Sequence, residues 1–212
     1  MDDTHPAIGV LISGRGSNLQ ALIDAIEEKR LPAKIAIVIS NRDGAAGLER
    51  ASAAGIETVV INHRAFPTRD AFDLAVASAL RKRGVSLVCL AGFMRLVGTP
   101  LLDAFPNAIL NVHPSLLPAF PGVDAQCQAL DHGVKVAGAT VHLVTADLDA
   151  GPIVLQAPVS VRDDDSAETL AARILIEEHR IYPEAVRIVL AGGWTIEGRR
   201  FVRSHQTPGI NR

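Results

Sequence analysis

Short apolar segments alternate with helical patterns through the first half of this chain, and this alternation constrains its fold most strongly. The apolar segments are continuous along the chain, which is typical of parallel strands covered on both faces. They are Ile8–Ile12, Ile35–Ile39, Thr58–Ile61, Val85–Ala91 and Ala108–Val112. The helical patterns between them are Ser17–Lys29, Ala45–Ala54, Thr68–Arg83 and Pro100–Phe105. Together they predict an α/β protein with a doubly wound, mostly parallel twisted sheet flanked by helices, a Rossmann-like fold.

The pattern changes in the second half. After a predicted helix at Val123–Gly133, Val136–Thr145 and Ile153–Val161 are predicted to be two longer strands, and Ser166–Ala191 a long helix. Ser166 is suited to begin that helix because its hydroxyl can cap backbone N–H groups. No repeat or linker interrupts the chain, so we expect one domain over residues 1–212. Its halves cover about residues 7–105 and 106–191, and the polar tail, 192–212, is expected to hold a terminal strand.

The composition describes an ordinary globular protein. Of 212 residues, 48% are hydrophobic and 21% charged, and the formal net charge is −2. The lack of a basic cluster argues against nucleic acid as a partner, and no apolar segment is long enough to span a membrane. The first residues lack the apolar stretch of a signal peptide, so we expect a cytoplasmic location. Cys89 and Cys127 cannot build a disulfide framework, and no zinc-binding motif is present.

A glycine-rich turn, Ser13–Leu19, follows the first predicted strand and opens the first predicted helix. Backbone amides beside glycine and at a helix N-terminus favour an anion. The dinucleotide fingerprint needs a third glycine where this chain has Leu19, and the Walker pattern is absent, so a nicotinamide cofactor is disfavoured. A monophosphate held by backbone amides and the Ser17 hydroxyl fits the turn. The alternative is a structural turn in which Ser17 caps the helix.

The segment Asn111–Pro118 carries the strongest sign of chemistry. Asn111 and His113 are two residues apart at the end of a predicted strand, so their side chains share one face. An amide N–H and a protonated imidazole on that face can stabilise a developing oxyanion, and a histidine can also move protons. The alternative is that both side chains only tie down an irregular loop.

The loop at residues 147–152 offers a carboxylate to this pair. If the loop folds back over the sheet, an aspartate would hold His113 in its charged form and orient its ring. Spacing alone does not choose between Asp147 and Asp149, and a plain surface turn is the alternative. Of the other histidines, we expect His142 to pack within a strand and His63 to lie exposed at the surface.

Taken in order, these motifs resemble the folate-dependent formyltransferases. The match extends over about residues 1–185 and rests on Ile12–Gln20, Ser40–Arg42, Leu90–Arg95, Asn111–Pro118, Ala139–His142 and Asp149–Pro152. The segment Asn-x-His-Pro-Ser-Leu-Leu-Pro with the later aspartate is shared by the family. The opening Ser-Gly-x-Gly-Ser-Asn-Leu is similar to its glycinamide ribonucleotide branch, and the tail matches poorly.

The resemblance implies the family's fold and the transfer of a formyl group from 10-formyltetrahydrofolate to the amine of glycinamide ribonucleotide in purine synthesis, with no metal. It makes residues 7–105 the phosphate-binding half and residues 106–191 the catalytic and folate-binding half. It assigns catalysis to Asn111, His113 and Asp149, which decides between the two aspartates. It assigns substrate binding to Gly16, Ser17, Asn18 and Glu178, and folate binding to Arg69, Met94, Arg95, Leu96, Val97 and Asn111.

Related activities remain open from the sequence. A formyltetrahydrofolate hydrolase would use the same three residues with water as the nucleophile, another formyltransferase would accept a different amine, and a binding protein would leave the three without a role. Two departures from the family pattern, Ala119 for lysine and Asp124 for histidine, concern substrate contacts just beyond the catalytic segment. We expect small-molecule partners only, and a homodimer is one option for the assembly.

Overall fold

One nine-stranded sheet runs through the computed structural model, which describes residues 5–204. The strands are β1 (Ala7–Ile12), β2 (Lys34–Ser40), β3 (Thr58–Val60), β4 (Leu87–Leu90), β5 (Ile109–His113), β6 (Val136–Leu143), β7 (Ile153–Ser160), β8 (Trp194–Glu197) and β9 (Arg200–Arg203). Their order across the sheet is β3-β2-β1-β4-β5-β6-β7-β9-β8. Strands β1 to β5 pair in parallel, whereas β6 is antiparallel to both β5 and β7. The predicted mostly parallel α/β sheet is therefore confirmed.

Helices cover both faces of the sheet. They are α1 (Ser17–Glu27), α2 (Ala46–Ala53), α3 (Arg69–Arg81), α4 (Thr99–Ala104), α5 (Ala125–Asp131) and α6 (Ala167–Ala191). On one face, Val10 of β1 packs in a core with Leu22 of α1 and Ile181 of α6. On the other face, Leu11 packs in a second core with Phe72 of α3. Adjacent residues of β1 thus point into opposite cores, which explains why its sequence is apolar throughout.

The tail differs from the prediction of a single terminal strand. Its described part forms two short antiparallel strands, β8 and β9. Strand β9 joins the edge of the sheet through one pairing, Ile153 with Arg200. Residues 205–212 lie outside the described range. Within residues 5–204, no helix combines the length and hydrophobicity needed to cross a membrane.

The order of the strands reverses between β1 and β4, and this point positions the site. From β1 the chain proceeds outward through β2 and β3, and then returns to β4 on the other side of β1. In open α/β sheets, ligands bind beside such a reversal, at the carboxyl ends of the strands. Tyr182 of α6 is fully buried beneath this edge. Its hydroxyl lies 2.9 Å from the Leu90 carbonyl of β4 and 3.2 Å from the Leu110 carbonyl of β5.

Candidate active site

Asn111 and His113 end β5 on the same face, as the spacing predicted. Val112 between them is buried on the opposite side, in the core with Tyr182. His113 is only 4% exposed, whereas Asn111 is partly accessible. A buried imidazole beside an accessible amide is suited to bind a ligand group that is removed from water.

The two ring nitrogens of His113 face different acceptors. Nε2 lies 2.9 Å from the backbone carbonyl of Phe120, and Nδ1 lies 3.5 Å from Oδ2 of Asp149. A carbonyl oxygen only accepts, so Nε2 carries a proton and donates to Phe120. Nδ1 is therefore the nitrogen available for chemistry. An acceptor oxygen therefore faces each nitrogen of the ring.

The loop between β6 and β7 brings Asp149, and not Asp147, to His113. Asp147 is exposed, whereas the side chain of Asp149 is 9% exposed. The backbone of Asp149 adopts a left-handed conformation with φ of 49°, uncommon for a residue with a side chain. The same Oδ2 that faces His113 accepts the backbone N–H of Gly122 at 2.8 Å. The carboxylate thus contacts both the His113 ring and the backbone of Gly122, in the loop that follows β5.

His142 completes the cluster from β6, where it pairs directly with Asn111. Its Nδ1 lies 3.0 Å from the Leu143 carbonyl and its Nε2 lies 3.3 Å from Nδ2 of Asn111. Burial lowers the pKa of His142, against the opposing effects of the Leu143 carbonyl and the Asp149 charge. In the neutral ring Nδ1 donates to Leu143, so Nε2 accepts from Asn111. The amide of Asn111 is thereby held with its nitrogen toward His142, and one N–H remains for a ligand.

The prediction that His142 packs within a strand is confirmed, because it is 2% exposed in β6. Its register opposite Asn111 cannot be derived without knowing the sheet order. His63 was expected to be exposed, but it is partly buried with Nδ1 3.0 Å from the Asn41 carbonyl. Although histidines and a carboxylate meet in the site, residues 5–204 contain no group of three or more His, Cys, Asp and Glu side chains that could hold a metal ion.

Buried hydrogen bonds hold the segment after β5 against β6. Thr140 of β6 donates its hydroxyl to the Ser115 carbonyl at 2.7 Å and accepts the Leu117 N–H at 3.0 Å. Gln156 of β7 donates to the Leu117 carbonyl at 2.9 Å. The Ser115 hydroxyl is bound to the Ala119 carbonyl at 2.6 Å. The Ser115 hydroxyl therefore has a structural role in this segment.

The glycine-rich turn after β1 places backbone N–H groups at the start of α1. The helix begins at Ser17, and Gly16 precedes it in the left-handed conformation with φ of 70°. Ser17 is therefore the first helical residue, and the interpretation of Ser17 as the cap is wrong because Gly16 occupies the cap position and no side chain caps the helix. Gly47 of α2 supports the turn from behind: its N–H donates to the Gly14 carbonyl at 3.0 Å. A Cβ atom at Gly16 would lie 2.6 Å from the Gly47 Cα, so the two backbones pack directly together.

Asn18 and Glu178 meet although they are 160 residues apart in the chain. Nδ2 of Asn18 donates to Oε2 of Glu178 at 2.7 Å. Among the described residues, Oδ1 of Asn18 is buried without a hydrogen-bond partner. Burial raises the pKa of Glu178 to about 6, although the Asn18 hydrogen bond and the positive charge of Arg15 lower it. The pair connects the turn at β1 to α6 and leaves polar atoms for a ligand.

The segment Met94–Val97 forms an apolar rim at the end of β4. Met94 and Leu96 are 67% and 57% exposed, unusually high for large hydrophobic side chains. The guanidinium of Arg95 lies 5.4 Å from the centre of the Phe72 ring of α3. The segment is fixed by Asp73 of α3, whose Oδ2 accepts the Gly98 N–H at 2.6 Å. Burial raises the pKa of Asp73, while that hydrogen bond lowers it.

The same anchor brings Arg69 to this rim. Arg69 is the first residue of α3, and a Cβ atom at Gly98 would lie 3.2 Å from its Nε. The structure thus gathers the residues predicted to bind folate along one edge, next to the strand end that carries Asn111. Exposed apolar side chains with a nearby cation suit a flat aromatic ligand that carries carboxylates.

Comparison with known proteins places this geometry in context. Residues 7–186 match the family described as formyl transferase. The chain is 50% identical over 185 residues to the trifunctional purine biosynthetic protein adenosine-3 of Bos taurus, covering 87% of this chain and 18% of that protein. It therefore spans less than a fifth of the length of that relative. It is 42% identical over 192 residues to phosphoribosylglycinamide formyltransferase of Escherichia coli, covering 91% of this chain and 88% of that protein.

A solved structure agrees with these sequence matches. The crystal structure of glycinamide ribonucleotide transformylase 1 from Symbiobacterium toebii superposes with a TM-score of 0.93 at 58% identity, over 96% of each chain. The family match covers both the turn after β1 and the cluster at the end of β5. By sequence and by fold, the chain belongs to the formyl transferase family.

Proposed function

We propose that this protein transfers the formyl group of 10-formyltetrahydrofolate to the primary amine of 5-phosphoribosylglycinamide, a reaction of purine biosynthesis. The observation that carries the proposal is the cluster of Asn111, His113 and Asp149 at the end of β5. It lies beside the glycine-rich turn Ser13–Leu19, which is called the phosphate turn below. Relatives that match most of the chain and bear the name phosphoribosylglycinamide formyltransferase support it.

The reaction begins with attack of the neutral amine on the formyl carbon. A C–N bond forms, and the carbonyl π electrons move to the oxygen. The intermediate then breaks its bond to N10 of the folate, which takes up the proton that the amine loses. The products are formylglycinamide ribonucleotide and tetrahydrofolate. Holding both reactants in line contributes roughly 7–11 kcal/mol in comparable oriented reactions.

Two donors stabilise the negative oxygen of the intermediate. One is the Asn111 N–H that His142 leaves free, and the other is the Nδ1–H of protonated His113. His113 cannot use Nε2 for this purpose because Nε2 already donates to the Phe120 carbonyl. Loss of one such donor typically lowers turnover on the order of 10²–10³-fold.

Asp149 acts on both the charge and the position of His113. Its Oδ2 lies 3.5 Å from Nδ1, so the positive charge that His113 carries in this mechanism faces a carboxylate. The distance leaves Nδ1 without a tight hydrogen bond to the carboxylate, and a substrate oxygen can approach it. The same carboxylate is available to organise a water that moves the proton from the amine toward N10.

The remaining residues bind the two substrates. The backbone N–H groups of Gly16, Ser17 and Asn18 hold the phosphate at the positive end of α1. Glu178 accepts hydrogen bonds from the glycinamide ribonucleotide, and its contact with Asn18 connects it to the phosphate turn. Met94–Val97 and Arg69 contact the folate.

The test is an assay of purified protein with 10-formyltetrahydrofolate, with and without 5-phosphoribosylglycinamide. We expect tetrahydrofolate to form only when the amine is present. Release without the amine would identify a hydrolase, and release only with another amine would identify a different transferase. Absence of release under all conditions would leave a binding protein.

A matched pair of variants tests the role of the carboxylate. Asp149→Asn should lower turnover by at least about 100-fold, because the neutral side chain no longer places a carboxylate opposite the positive charge of His113. Asp147→Asn removes the same charge from an exposed position in the same loop and should leave turnover within about twofold of wild type. Equal effects of the two substitutions would contradict the assignment.

A further inference from the structure

Ser13, directly after β1, connects the two segments proposed to bind the substrates. These are the phosphate turn and Met94–Val97, called the folate segment below. Ser13 is 6% exposed. It begins the phosphate turn, and its hydroxyl oxygen accepts a hydrogen bond from the backbone N–H of Met94 at 2.8 Å. Its own backbone N–H donates to the Gly92 carbonyl at 3.1 Å. Ser13 is therefore part of the phosphate turn, and it contacts the folate segment through one hydrogen bond to Met94 and the residue two places before that segment, Gly92, through a second.

The Ser13 hydroxyl has one stable orientation. The Met94 N–H can only donate, so the Ser13 oxygen accepts there, and the Ser13 proton goes to Oδ1 of Asn41 at 2.6 Å. Asn41 is itself 1% exposed, and its Nδ2 lies 3.2 Å from Nδ1 of His63. Because Ser13 and Asn41 are both buried, their hydrogen bonds are shielded from water, and a shift of Ser13 is passed on to the Met94 N–H.

The position of Ser13 in the sheet explains why such a connection is needed there. Strand β1 pairs with both β2 and β4, and all three end at the same edge. Beyond that edge the regular ladder between β1 and β4 stops, and the chain leaves β1 into α1 and leaves β4 toward α4. There the hydroxyl of Ser13 adds a side-chain hydrogen bond to Met94 beside the single backbone bond from the Ser13 N–H to the Gly92 carbonyl.

We propose that Ser13 is a positioning residue that couples the two substrate sites. When phosphate occupies the turn, the position of Ser13 becomes fixed, and the Met94 N–H with the folate segment is fixed with it. The second substrate then finds its segment already ordered. By linkage the effect is reciprocal, so bound folate favours the phosphate turn in equal measure. The proposal rests on the proposed function, because it needs both substrates.

The test measures binding of tetrahydrofolate, which has no formyl group to transfer, by calorimetry. The dissociation constant is determined with and without saturating 5-phosphoribosylglycinamide, and the ratio of the two values is the coupling factor. For wild type we expect a factor of at least about five, the lower end of typical coupling between sites. For Ser13→Ala we expect a factor near one.

Ser86→Ala is the matched control. Ser86 also donates its hydroxyl to a backbone carbonyl, that of Ala7 at 3.1 Å, and it lies at the opposite end of the same two strands. Its coupling factor should equal that of wild type. If Ser13→Ala is not folded at the assay temperature, Ser13→Cys replaces it, since a thiol keeps the volume but accepts hydrogen bonds weakly.

The outcomes separate the coupling from the function. Formyl transfer by wild type is measured first, and its absence would overturn the proposed function. A coupling factor of one in active wild type, or an unchanged factor in an active Ser13→Ala protein, would overturn the role of Ser13 alone. A factor that falls in both Ser13→Ala and Ser86→Ala would also overturn it, because the effect would then follow from loss of any hydroxyl along these strands.

Discussion

Replacement of Glu178 by glutamine gives a direct measure of the electrostatics at the candidate site. Glu178 is 7% exposed, and burial raises its pKa to about 6 from the ordinary 4.5. Glutamine has nearly the same shape and can still accept the Asn18 N–H through its carbonyl oxygen, but it cannot ionise. The substitution therefore removes only the cost of a buried charge at neutral pH.

The sign and size of the effect follow from the two pKa values. Because the pKa is higher in the folded protein, folding favours the protonated carboxyl. This stabilising contribution is complete below about pH 4.5 and is lost as the pH rises through about 6. The interval from 4.5 to about 6 corresponds to about 2 kcal/mol, at roughly 1.4 kcal/mol per pH unit. Relative to wild type, Glu178→Gln should therefore gain about 2 kcal/mol of unfolding free energy between about pH 4 and pH 8.

The measurement is urea unfolding of both proteins over that pH range, with melting temperatures as a second readout. For a domain of this size, the gain corresponds to about 4–8 °C. Taking the difference between the two proteins cancels the other titrating groups. Glu184→Gln, an exposed position on the same helix, is the control and should show a difference that does not change with pH. A constant difference for Glu178→Gln, or one that favours wild type as the pH rises, would refute the reasoning.

Three further predictions concern the site. Gly47→Ala places a Cβ atom 2.7 Å from Cδ1 of Ile12 and 3.1 Å from the Gly16 Cα, so the phosphate turn must shift. The KM for 5-phosphoribosylglycinamide should rise about tenfold with the KM for the folate unchanged, and steady-state kinetics that show equal rises would contradict this. Gly98→Ala places a Cβ atom 2.6 Å from Oδ2 of Asp73 and should show the reverse pattern in the same assay. Asn111→Ala should lower kcat by at least about 100-fold with an unchanged circular dichroism spectrum, and near-normal turnover would eliminate its role as an oxyanion donor.

The parallel half of the sheet was predictable because its signal is local. Its central strands β1 and β4 are apolar on both faces, and a continuous apolar segment bounded by turn residues is visible without any partner. The common face of Asn111 and His113 was predictable for the same reason, since it depends only on the two-residue period of a strand.

Features that depend on strand pairing or on an uncommon backbone conformation could not be predicted from the sequence pattern. His142 lies opposite Asn111 only because β6 returns antiparallel to β5 in one particular register. Asp149 reaches His113 because its backbone is left-handed, a conformation that favours glycine. The local sequence does not predict that conformation at an aspartate. The second strand of the tail is held to the sheet by the single pairing of Arg200 with Ile153, a contact with no local signature.

Tyr182 affects the solvation of the strand ends beneath Asn111 and His113. At the carboxyl edge of a sheet, strand carbonyls that lack a hydrogen-bond partner in the protein bind water. The hydroxyl of Tyr182 lies within hydrogen-bond distance of two of them, Leu90 and Leu110, and is itself fully buried. A buried protein hydroxyl therefore meets these two carbonyls in place of water, and electrostatic interactions are screened less near such a buried surface than in bulk water. Because Tyr182 and Glu178 lie one turn apart on α6, the helix that carries the proposed substrate-binding residue Glu178 also contacts the strand ends beneath Asn111 and His113.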